Sequence, residues 1–130
     1  MIRPILAICM LSICGLAVAQ SQAARIKAFD IAKAKELVAD EFSDPDSVKF
    51  RRMFISAFTN PKGETFLYLC GEVNAKNKMG GYTGYRRFQV DDQHALVDPG
   101  EDAQGMASVR RMMIEESYPK ACGNSVKEVK

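Results

Sequence analysis

An apolar leader at the start of the chain constrains everything that follows it. Arg3 supplies a positive charge, Ile5 to Ala17 form an uncharged apolar run, and Ala17-Val18-Ala19 before Gln20 has the small-x-small pattern of a signal-peptidase site. The run holds about 13 residues, whereas ~20 are needed to cross a bilayer. It therefore reads as a cleaved export signal, and no membrane span is expected after cleavage. The expected division is a signal peptide over residues 1–19 and a single small domain over residues 20–130. Taking the 19 leader residues from 130 leaves 111, room for one modest core. That domain would fold in the periplasm or as a secreted protein, where thiols oxidise.

The compartment decides how the four cysteines are read. Cys9 and Cys14 lie in the leader, and each follows an isoleucine (Ile8, Ile13) where a lipid-anchoring cysteine needs a small residue. Cys70 and Cys122 remain. Two thiols in an exported small domain most simply form one disulfide, here closing a loop of about 52 residues and contributing ~4 kcal/mol by loop-closure entropy. A metal pair and a catalytic thiol are the competing readings. A zinc site needs three or four ligands and His94 is the chain's single histidine, so neither a metal site nor a cofactor is expected. A Cys-His nucleophile has its residue types present, but nothing local brings them together.

Charge excludes another class. Without Arg3, 17 basic residues face 16 acidic ones, and the basic residues come in pairs (Arg51-Arg52, Arg86-Arg87, Arg110-Arg111) with no run that could track a phosphate backbone. Nucleic acid is not an expected partner.

Hydrophobic spacing predicts a helix from Phe29 to Phe42, with Ile31, Ala34, Leu37, Val38 and Phe42 on one face, Asp30 as N-cap and a boundary near Ser43 or Asp44 forced by Pro45. Asp44-Pro45-Asp46-Ser47 reads as a cap and a single helical turn. Lys49 to Phe58 and Thr65 to Asn74 read as an antiparallel hairpin around the Asn60-Pro61-Lys62-Gly63 turn. Neither strand alternates cleanly: Met53, Ile55 and Ala57 share one face, and Phe50, Phe54 and Phe58 the other. Tyr85 to Val90 is a third strand and Ala95 to Val97 a short fourth. A second helix is expected from Glu101 or Asp102 to Ser117, with Met106, Val109, Met112 and Met113 as core filler and Pro119 as its stop. The fold class is α+β: a small antiparallel sheet of three to four strands flanked by an N-terminal and a C-terminal helix.

One stretch carries more unusual residues than a core demands: Cys70-Gly71-Glu72-Val73-Asn74-Ala75-Lys76-Asn77, then Gly80-Gly81-Tyr82-Thr83-Gly84-Tyr85. With Asp44-Pro45-Asp46-Ser47-Val48-Lys49-Phe50 upstream, it resembles a group of small exported or lipid-anchored bacterial proteins. Those proteins carry a DPxSxxF element followed by CGEVNAKN and GGYxG. The resemblance spans roughly Asp44 to Phe88; it implies a shared fold and brings no reaction with it.

Two readings of this stretch stand side by side. In the first, Asn74 and Asn77 satisfy buried backbone groups of a strand-to-strand crossing and the glycines supply backbone freedom. In the second, the stretch is a contact surface: Glu72, Asn74, Lys76, Asn77, Gly81, Tyr82 and Tyr85 meet a ligand or partner, with Lys76 giving charge and a tyrosine stacking. Its spacing matches neither nucleotide-binding glycine pattern. A hydrolase would need a second acid facing Glu72; Asp91 or Asp92 would have to come near, and His94 reads as solvated. The leading expectation is a non-enzymatic protein binding a partner protein or envelope component, an inhibitor or immunity-like role fitting its size and compartment. The alternative is a small-ligand or cell-wall-fragment binder, or hydrolase, using the glycine-rich loop.

Overall fold

A computed structural model describes residues 21–130; the leader expected at residues 1–19 lies outside them. Residues 21–28 are helical. They are followed by α1 (Ile31–Ala39), a 3-10 turn (Pro45–Ser47), β1 (Lys49–Thr59), β2 (Thr65–Asn74), β3 (Arg86–Val90), β4 (Ala95–Val97), α2 (Met106–Ala121) and β5 (Ser125–Val129). The class is α+β, but the sheet is larger than expected. Five strands run in the order β4-β3-β2-β1-β5, every neighbouring pair antiparallel. Among the described residues no helix is long and apolar enough to cross a membrane.

Asp30 caps α1 as its position suggests, its Oδ1 accepting the Lys33 N–H at 3.0 Å. The helix ends at Ala39, earlier than Pro45 alone would require. Glu41 and Phe42 donate their N–H groups three residues back, to Val38 and Ala39, which tightens the last turn. Ala34 and Val38 are buried against Ile55, Leu69, Val73, Phe88 and Val90, and these form the main core on one face of the sheet.

The uneven alternation of β1 has a structural cause. Between Arg51 and Phe54 the register slips, so that Arg52 and Met53 lie opposite Gly71 in a bulge, and Arg52 takes φ 51°. The slip moves Phe50 to the α1 face, where its ring meets Phe88 edge-on at 5.6 Å. Phe54 lies on the opposite face, with Tyr68 and the cysteines. Phe50 and Phe54 therefore do not share a face as the plain period of two predicts.

That opposite face is covered by α2, whose boundaries and buried stripe both differ from expectation. The helix begins later, after Gly100 and Gly105, both at positive φ. It also runs through Pro119, which lies in the last turn, to Ala121; the Cys122 N–H still bonds the Tyr118 carbonyl at 2.8 Å. The residues turned to the sheet are Ile114, Tyr118 and Ala121. Met106, Val109, Met112 and Met113 are exposed, so they are not core filler.

The Cys70–Cys122 disulfide joins the middle of the sheet to the end of α2, with the Cα atoms 6.0 Å apart. The chain then returns as β5, a strand its half-charged sequence does not announce. Buried Ser56 anchors its start, donating to the Asn124 carbonyl at 2.9 Å, while the Asn124 side chain donates to the Ala57 carbonyl at 3.2 Å.

Candidate functional site

The stretch after β2 is built as a pinned hairpin. Asn77 organises its tip: Oδ1 accepts from the N–H groups of Met79 (2.9 Å) and Gly81 (3.1 Å), and its own N–H reaches the Gly81 carbonyl at 2.8 Å. Asn74 Oδ1 accepts the Gly84 N–H at 3.0 Å, and Lys76 pairs with Tyr82 across the hairpin. Both asparagines therefore satisfy backbone donors. Gly80 and Gly84 adopt positive φ, whereas Gly81 does not.

The upstream Asp44–Ser47 element is the base on which this hairpin rests. The Ser47 hydroxyl donates to the Asp44 carbonyl (2.8 Å) and accepts the Lys76 N–H (2.9 Å). The Tyr82 hydroxyl donates to the Ser47 carbonyl at 3.1 Å. The two halves of the motif, nearly 30 residues apart, thus meet directly through a separation of 29 between Ser47 and Lys76.

Outward, the hairpin presents aromatic rings under cations. Lys49 Nζ lies 4.5 Å from the Tyr82 ring centre and Lys76 Nζ 5.7 Å. The Arg51 guanidinium lies 3.7 Å from the ring centre of Tyr85. Tyr82 and Tyr85 nevertheless remain 42% and 37% exposed. Glu72 is the one acid among them, opposite Arg51 and Arg87 in register, and its carboxylate accepts Arg51 Nε at 2.5 Å with Arg52 at 3.7 Å. Glu72 is thereby an ion-pair partner that holds Arg51 over Tyr85. Lys49, Arg51 and Arg52 were not singled out by the sequence; the bulge that aims the arginines gives no period to read.

The remaining candidates are not brought to this place. Asp91 and Asp92 follow the far end of β3, whereas Glu72 faces Arg87 near its start. Asp91 Oδ1 instead accepts the N–H groups of Gln93 (2.8 Å) and His94 (2.7 Å), and His94 is exposed. Asp91 is thus engaged in its own turn at the far end of β3, away from the position where Glu72 faces Arg87. Among the described residues, no group of three His, Cys, Asp or Glu side chains is placed to hold a metal. Among the described residues, grooves lie beside α2, along β5 and next to His94, and these are not lined by Glu72, Asn74, Lys76 or Tyr82.

Two tyrosines beside these charges have altered acidity. Burial raises the Tyr118 phenol; the Arg87 guanidinium, 5.4 Å from its ring centre, partly opposes this and Glu72 adds to it. Burial, and then the charge of Asp91, also raise Tyr68. Neither phenol is set up to lose its proton at neutral pH.

Comparison of the chain with known protein families, with curated proteins and with solved structures finds no match.

Proposed function

We propose that this is an exported, non-catalytic binding protein that works in the periplasm or outside the cell. Its contact surface is the hairpin carrying Tyr82 and Tyr85 with the neighbouring cations of β1. The observation that carries the reading is that both rings stay substantially exposed while fixed in place by Ser47, Lys49 and Arg51. Tyrosine and arginine held rigid at a surface lose little conformational entropy on binding and are over-represented where binding energy concentrates. Five cations (Lys49, Arg51, Arg52, Lys76, Lys78) lie on β1 and the hairpin, against Glu72 among them and Asp44 and Asp46 at the hairpin's base. The surface therefore suits an acidic patch on a partner protein or an anionic envelope component. An inhibitor or immunity-like role fits such a surface. The leader and the disulfide support the location.

The test compares wild type with Lys76→Ala and Tyr82→Phe in quantitative capture from an envelope extract, alongside thermal unfolding. Lys76→Ala should keep its melting temperature and lose most of the captured partner. Capture should also weaken as the Debye length shortens from ~30 to ~8 Å with added salt. Capture by Lys76→Ala equal to wild type at every salt concentration would remove the hairpin as the contact surface.

A further inference from the structure

The bulge of β1 gathers two arginines around one carboxylate. Register sets Arg51 directly opposite Glu72, and Arg51 Nε donates to Glu72 Oε2. The Tyr85 ring lies against the same guanidinium, its centre 3.7 Å from Arg51 Cζ. One edge and one face of that planar group are therefore fixed. Its other edge, formed by the two Nη groups, has no partner among the described residues, and the Arg51 side chain is 45% exposed.

Arg52 is held differently and points to the same use. Among the described residues it is the only non-glycine at positive φ, a conformation that glycine adopts freely and an L-side chain resists. Its side chain gives the fold little in exchange. Nη1 lies 3.7 Å from Glu72 Oε1, beyond hydrogen-bond distance, and the side chain is 76% exposed. Strained backbone beneath a side chain that the fold does not hold is a mark of binding sites. Glu72 balances one of the two arginines, while Arg87, which faces Glu72 from β3, is paired with Asp98 at 3.1 Å. One positive charge is left at the arginine pair. That suits a singly charged carboxylate better than a phosphate group, which carries up to two charges and would lie beside Glu72.

Taking the hairpin and β1 as the contact surface proposed above, we infer that Arg51 and Arg52 together receive a carboxylate side chain from an acidic segment of a partner protein. The carboxylate accepts from the two Nη groups of Arg51 as a bidentate pair, with Arg52 beside it. Glu72 and Tyr85 are positioning residues. They hold the plane of the Arg51 guanidinium, so little side-chain freedom is lost when the carboxylate docks.

The test is a titration of the disulfide-bonded protein at physiological salt with acetyl-hexaglutamyl-amide, followed by NMR. Saturable shifts are expected at the Arg51 and Arg52 Nε–H groups and at the Tyr85 ring. Arg51→Lys keeps the charge but loses the planar fork, and should weaken binding ~10-fold. Arg52→Gly should also weaken it, with a melting temperature no lower than wild type; Arg52→Asn, which tolerates left-handed backbone, serves if Arg52→Gly does not fold. Glu72→Ala should weaken it too, although that change removes a repelling charge. Lys62→Ala, at the far β1–β2 turn, should leave it unchanged, and inorganic phosphate at matched ionic strength should not displace the peptide. Absence of saturable shifts, full affinity in either arginine variant, or tighter binding by Glu72→Ala would each overturn the inference. So would a loss on Lys62→Ala equal to that on Arg51→Lys, or displacement by phosphate. Any of these results, with envelope capture still lost in Lys76→Ala, would remove the arginine assignment and keep the hairpin as contact surface. Capture indifferent to Lys76→Ala, with peptide binding that needs both arginines, would do the reverse.

Discussion

Gly71 lies across the sheet from Arg52, so close that a methyl group on Gly71 would sit 3.2 Å from the Arg52 carbonyl oxygen and 3.1 Å from the Met53 α-carbon. These contacts are with backbone, which cannot swing aside as a long side chain can. Glycine at this position lets β1 carry the bulge that sends Phe50 to one face and Phe54 to the other. Gly71→Ala is expected to destabilise the fold by about 1–3 kcal/mol through overpacking. Urea unfolding measures it, and a change below ~0.5 kcal/mol would show that the bulge shifts freely.

The other side of the same bulge makes an opposite prediction. Arg52 is a non-glycine residue at φ 51°, with only a long ion pair to Glu72 at 3.7 Å. Left-handed backbone costs an L-residue roughly 1–2 kcal/mol, and glycine loses more chain entropy on folding, which offsets part of the relief. Arg52→Gly should therefore leave stability unchanged or raise it by up to ~1 kcal/mol. A marked loss in the same unfolding assay would mean that the Arg52 side chain, rather than the backbone, is what the fold needs.

These paired effects show where the sequence was legible and where it was not. β2 (Thr65–Asn74) and β4 (Ala95–Val97) have the boundaries read from turn residues, and Asp30 caps α1 because an Asx side chain before an apolar period has one natural use there. The bulge escaped notice because a one-residue slip looks, in sequence, like imperfect alternation. On α2, the methionines and the Ile114–Tyr118–Ala121 set both have helical spacing, so periodicity cannot choose between them; the Cys70–Cys122 link decides which set meets the sheet. β5 escaped because edge strands carry charge to discourage further pairing, as Lys127 and Glu128 do here. At the hairpin, Asn74 and Asn77 were readable as backbone partners. The stacking of Arg51 on Tyr85 depends on three-dimensional aim and left no spacing to read.

Ser47 is the joint between the two motif halves, and its loss should show it. The hydroxyl is buried and bonded both to the Asp44 carbonyl and to the Lys76 N–H. Ser47→Ala leaves that N–H without a partner, at a cost of about 1–3 kcal/mol. Amide hydrogen exchange at Lys76 should quicken in the variant more than at β3. Uniform quickening across the sheet would instead mean that Ser47 contributes only to global stability.

Acid should reveal Asp98. Its carboxyl lies below its ordinary value: burial alone would raise it, but the Gly100 N–H, the Arg87 hydrogen bond and the charges of Arg87 and Arg111 together outweigh burial. A carboxyl more acidic in the folded than in the unfolded protein contributes stability above the unfolded value, ~3.9. That contribution is lost as pH falls through the folded value. Asp98→Asn should thus be less stable than wild type at neutral pH, with the difference shrinking below pH ~4. Chemical unfolding across that range checks it; a difference independent of pH would exclude an electrostatic origin.

The glycines of the hairpin separate backbone geometry from recognition. Gly80 and Gly84 adopt φ 83° and 97°, whereas Gly81 does not have a positive φ, and a methyl group on it would meet only the Asn77 side chain, at 3.9 Å. Gly80→Ala and Gly84→Ala are each expected to cost ~1 kcal/mol or more, because alanine resists left-handed backbone. Gly81→Ala should change stability by less than ~0.5 kcal/mol. It would also place a methyl group beside the Asn77 amide on the surface that carries Tyr82. If that surface binds a partner, Gly81→Ala is the variant in which a loss of binding cannot be attributed to a loss of fold. Thermal unfolding together with capture from envelope extract distinguishes the cases. Equal destabilisation by all three substitutions would show that the hairpin needs glycine for reasons its φ angles do not contain.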